Sequence, residues 1–116
     1  MLYDDRFETI VAPARPITPP LEPWQQTLLE TAQVIRTRGW CKGALTNHKT
    51  GAVCIMGALV VVLTGHPYGS ISHYDSALDA LYRHHITPKW NDMRAGSAST
   101  VITAIEKVAF GEDPHL

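Results

Sequence analysis

The residues in this chain that could carry out chemistry are few, and two of them are thiols. Cys41 and Cys54 flank His48 in the arrangement Cys-x6-His-x5-Cys, and His66, His73, His84 or His85 could add a fourth ligand. Structural zinc sites normally contain a tight pair of ligands such as Cys-x2-4-Cys, because neighbours on one turn are ordered together. This chain has no such pair, so no metal and no cofactor are expected. A disulfide is sterically open to the two cysteines, since the twelve residues between them let their Cα atoms come into bonding range. In a reducing compartment both stay thiols, although the bond can still form in a purified sample.

A thiol enzyme needs a thiolate, a base within hydrogen-bond reach and a group to orient that base. The sequence places Cys54 in the first turn of a helix, where the dipole lowers a thiol pKa. A histidine with Asn91 or Asp92 would complete such a set. Val53, Ile55 and Met56 act against it, because apolar neighbours raise the pKa and limit access. No single histidine is marked out as the base. Cys41, beside Trp40 and Lys42, is the better exposed thiol. No catalytic residue is assigned, and a small thiol- or metal-dependent enzyme built on Cys41, Cys54 and a histidine stands as the second reading.

The other constellation is polar and aromatic. Trp40, Cys41 and Lys42 stand in one loop, and Trp90, Asn91, Asp92 and Arg94 in another. Aromatics with Arg are the usual anchors of a protein-binding surface, so these seven residues are the candidate binding site. A plainer role weighs more for these residue types. Short polar side chains readily satisfy loop backbone, and both tryptophans suit partly buried anchors. His84 and His85, at the end of a predicted helix, complement its negative pole.

The elements that must position these residues follow from periodicity. Leu21, Trp24, Leu28, Ala32 and Ile35 form one stripe, Pro23 suits the first turn and Gly39 the stop, giving a helix over 23–38. Residues 40–51 read as a loop, with room for one helical turn at 42–45. Residues 52–63 are apolar on every side and predict the most buried helix, despite three consecutive valines. Ser72 with Asp75 resembles a capping box for a third helix over 72–85, lined by Tyr74, Ala77, Leu78, Leu81 and Tyr82. Ser97 suits the cap of a fourth helix running to 110. The fold expected is all-α, a four-helix bundle-like single domain over 24–116. Residues 1–23 carry five prolines in eleven positions and read as an extended arm. Leu2, Tyr3, Phe7, Ile10 and Val11 give that arm enough apolar surface to dock on helices, which predicts a homo-oligomer.

Gly39-Trp40-Cys41, then Cys54-Ile55-Met56-Gly57-Ala58-Leu59, then Trp90-Asn91-Asp92 before a capped helix, stand in this order. The pattern resembles a family of small uncharacterised proteins encoded by bacteria and their phages, over about residues 24–110. The chain departs from it in having Lys42 where the family often has Gln. It also has Gly96 where the family often has Arg, with Arg94 two positions earlier. The resemblance implies a helical fold and assigns no activity.

Composition removes other classes. The chain has 116 residues, ten Lys+Arg against eleven Asp+Glu, and 45% hydrophobic residues. That is one folded domain without the basic face of a nucleic-acid binder or a polybasic membrane anchor. Its first residues include acids where a secretory leader is basic, and its longest apolar run is too short to span a bilayer, so a cytoplasmic location is expected. The function expected is that of a non-enzymatic accessory protein, phage-encoded as the resemblance implies, which binds an as yet unidentified protein partner.

Overall fold

A computed structural model of the chain describes residues 20–116, so the expected arm, apart from residues 20–22, lies outside the described residues. The described residues form an all-α fold, with five helices joined by irregular segments and β pairing limited to two single bridges. Helix α1 spans Pro23–Arg38. Pro23 occupies its first turn, and the Glu22 amide donates to Gln25 Oε1 at 2.8 Å. It ends at Gly39, whose φ of 91° suits glycine and whose amide still reaches the Ile35 carbonyl at 2.8 Å.

The predicted second helix begins three residues late. Helix α2 is Ile55–Thr64. Ala52 and Val53 are extended, and Cys54 is the N-cap rather than a first-turn residue. The physical reason lies upstream, where the backbone of 52–54 pairs with two other segments and is unavailable to a helix. The helix is buried from Ile55 to Val60 apart from Met56, and Leu63 and Thr64 emerge at its far end.

The third helix is shorter than expected, with α3 at Ser76–Arg83. Asp75, not Ser72, caps it, accepting from the amides of Ala77 and Leu78 at 3.0 and 3.1 Å. Tyr74 therefore falls outside the helix and is 92% exposed. At the other end His85 takes a left-handed φ of 61°, which lets the Ile86 amide reach back to Leu81 and buries the Ile86 side chain. A fourth helix stands where a loop was expected, α4 at Pro88–Met93. Thr87 caps it and Pro88 opens it, a start signal that was present in the sequence. Helix α5 is Ala98–Ala109, capped by Ser97 as expected.

The core forms where α1 lies along α5 and α2. Leu28, Ala32 and Ile35 of α1 meet Val101, Ala104, Ile105 and Val108 of α5, and Val53, Ala58 and Leu59 fill the other side. Alanines at 32, 58 and 104 keep the helix axes close. Gln25 also ties α1 to α5, donating from Nε2 to the Ala109 carbonyl at 2.8 Å.

The tightest approach is at Gly57, where a Cβ would land on the carbonyl oxygen of Leu45, a backbone atom that cannot swing aside. Gly57→Ala should therefore cost about 2 kcal/mol or more and lower Tm by on the order of 10 °C. Gly96→Ala, where no atom lies within 4 Å of the added carbon, should leave Tm within a few degrees. Thermal melts of the two variants side by side check this.

Candidate functional site

All three sequence motifs meet in one part of the fold. The polar run after Leu45 folds as a tight turn because Asn47 Oδ1 accepts from the amides of Lys49 and Thr50, at 2.9 and 3.2 Å. The turn brings the chain back so that Asn47 N donates to the Ala52 carbonyl at 2.8 Å and Cys54 N to the Leu45 carbonyl at 3.2 Å. On its other side the returning segment runs parallel to 39–41. Val53 N donates to Gly39 O and Cys41 N to Val53 O, both at 3.0 Å. Val53 is thus paired on both sides and its side chain is fully buried. Residues 42–45 are bent and cross between the two flanking segments, with no helical turn.

Asn91 locks this assembly to α4. It is 1% exposed, and its amide uses every hydrogen-bonding position that it has. Oδ1 accepts from Trp40 Nε1 at 2.7 Å and from the Ile55 amide at 3.3 Å. Nδ2 donates to the Cys41 carbonyl at 3.2 Å and to Asp92 Oδ1 at 2.9 Å. Asp92 Oδ1 also accepts from the Gly43 amide at 2.9 Å. That backbone bond, then Asn91 and then the nearby Lys42, hold the Asp92 carboxyl below its ordinary value. The Lys42 ammonium sits over the Trp40 ring, 5.5 Å from its centre.

Both thiols contact nearby backbone groups. Cys54 Sγ accepts from the Gly57 amide at 3.3 Å and so caps α2, while Cys41 Sγ lies 3.6 Å from the carbonyls of Ala44 and Ala52. Burial pushes both thiols above their ordinary value, and for Cys41 the neighbouring Cys54 adds to the rise. Among the described residues no histidine hydrogen-bonds to either one. His48 turns to Tyr68, whose hydroxyl lies 3.1 Å from its Nε2. His115 Nε2 is 2.7 Å from the His84 carbonyl and its ring meets Trp90 edge-on. No three His, Cys, Asp or Glu side chains converge as metal ligands among the described residues.

Of the seven candidates, then, Trp40, Cys41, Asn91 and Asp92 are bound into one another and into loop backbone. Lys42 and Arg94 remain exposed, and Trp90 is half-buried. Trp90 and Arg94 line a shallow concavity of about 200 Å³ with Thr87, Lys89 and Met93. Met93 is 70% exposed. Lys89 and Met93 were not among the sequence candidates. Reading Thr87-Pro88 as a helix start would have placed them on one face, four residues apart.

These features define a small helical domain whose distinctive residues build a polar junction between a crossed loop, the start of α2 and α4. The chain belongs to a family of unknown function, DUF6197, which it matches over residues 19–110. No curated protein and no solved structure matches it. Among the described residues no helix is long and apolar enough to cross a membrane.

Asn91→Ala would strand the Trp40 indole N–H, the Ile55 amide and the Cys41 carbonyl, so a loss of about 3–5 kcal/mol is expected in urea unfolding. Asp92 gives a pH signature. Its folded pKa is depressed, so its contribution is present above the ordinary carboxyl value of 3.8 and is lost as pH falls through the folded value. Asp92→Asn should flatten that acid limb of the stability profile, as measured by urea titrations at a series of pH values below 5.

Proposed function

We propose that this protein is a non-enzymatic accessory protein that works by binding another protein, and that the α4 face is its docking surface. The carrying observation is the composition of that face. Lys89 and Arg94 flank the half-buried Trp90 and the exposed Met93 around the concavity, with Lys42 on the adjoining loop. Neither Lys89 nor Arg94 makes an ion pair among the described residues. Asp92, the acid beside Lys42, already accepts two hydrogen bonds from its own domain. A partner that presents acidic side chains around one apolar residue fits such a surface, the apolar group seating against Trp90 and Met93.

This reading predicts that a partner captured from extract of the source cells binds the intact protein and is released as salt rises, because the contact is partly ionic. Lys89→Glu combined with Arg94→Glu should weaken binding at least tenfold while Tm stays within a few degrees, since both side chains are exposed. Equal binding by the double variant would move the docking surface elsewhere.

A further inference from the structure

The parallel pairing that holds the loop also sets the two cysteines side by side. Val53 N donates to Gly39 O and Cys41 N to Val53 O, so Trp40 and Val53 are paired residues. One position earlier, Gly39 and Ala52 share a face, and a Cβ on Gly39 would lie 3.5 Å from the Ala52 Cβ. Side chains alternate with period two, so one position later Cys41 and Cys54 share that same face. Paired segments lie about 4.8 Å apart, within the range of about 4.4–6.8 Å that disulfide Cα atoms require. Cys41 Sγ already leans over the 52–54 segment, with the Ala52 carbonyl at 3.6 Å. Cys54 Sγ accepts weakly from backbone amides at the start of α2, that of Gly57 at 3.3 Å.

We propose that Cys41 and Cys54 form a dithiol site that closes to an intramolecular disulfide in exchange with a low-molecular-weight disulfide. Cys41 is the attacking residue, because it is half-exposed whereas Cys54 is buried. Its thiolate attacks one sulfur of the small disulfide RSSR, forms a mixed disulfide and expels RS⁻. The Cys54 thiolate then attacks the Cys41 sulfur of that mixed disulfide, closes the protein bond and expels the second RS⁻. Two protons from the protein thiols and two electrons end on two molecules of RSH, so the step balances as protein dithiol plus RSSR giving protein disulfide plus two RSH. Burial holds both thiols largely protonated at neutral pH, which makes the exchange slow there and about tenfold faster for each unit of pH below the thiol pKa. Closure draws Cys54 Sγ away from the Gly57 amide, so the state of the pair is coupled to the cap of α2.

The experiment incubates the full folded chain with oxidised glutathione at pH 7, 8 and 9 and follows intact mass and peptide maps. The expected product is a monomer lighter by two hydrogens with residues 41 and 54 cross-linked, formed faster at each higher pH and reversed by reduced glutathione. Cys54→Ser keeps a capping oxygen, folds, and should stop at one glutathione on Cys41. Cys41→Ser should not react. Three results overturn the proposal. They are a stable glutathione adduct on Cys41 of the unaltered chain, a cross-link between chains, or cross-linking that appears only after denaturant is added.

Discussion

One buried amide holds the Gly-Trp-Cys loop, the start of α2 and α4 together. Asn91 donates twice and accepts twice, and its four partners come from the Gly-Trp-Cys loop, the first residue of α2 and its own helix. Each partner is a group that would cost free energy if buried alone, so the amide resolves several such costs at a single point. The position of α4 relative to α2 follows from this, because few apolar contacts join those two helices. The charged face of α4 is accordingly set by a polar anchor beneath it together with the packing of Trp90 against the core.

The thiols and glycines of the loop serve the same constraint. Gly57 lets the Leu45 carbonyl press against α2, and Cys54 caps the helix with sulfur where an oxygen is usual. Residues whose types suggest catalysis thus act mainly as fasteners. Trp40, Cys41, Asn91 and Asp92 are engaged with one another and with loop backbone, while Lys42, Lys89, Met93 and Arg94 stand exposed around the half-buried Trp90.

Much of this was legible in the sequence, and the failures have identifiable physical causes. Helices α1 and α5 were readable because local signals agree with their apolar pattern, as with Pro23 and Gly39 for α1 and Ser97 for α5. The start of α2 was not. Ala52 and Val53 continue its apolar run, and only long-range pairing with Gly39 and Leu45 pulls them out of the helix. Ser72 and Tyr74 were assigned to α3 on a capping pattern that Asp75 satisfies better, by accepting from two amides at once. The short α4 carries too few residues for periodicity to register, although its cap and proline mark it. For the candidate site, the motifs marked the right region. That Asn91 lies buried beneath that surface depends on partners 36 to 51 residues away, which spacing does not reveal.

The crossing segment 42–45 has a consequence for how the chain can vary in length. It is fastened at Cys41, Gly43 and Leu45, by bonds to Val53, Asp92 and Cys54. An inserted residue there would break the register on both sides of Val53 at once. The stretch between Gly69 and Asp75 is held by short local bonds, such as Tyr74 N to Ser72 Oγ at 3.0 Å, and its tip stands in solvent. Natural insertions, engineered tags and reporter grafts therefore belong in 72–74, beyond Ile71 and its contact with the core, where the chain can lengthen while the junction at Asn91 keeps its shape.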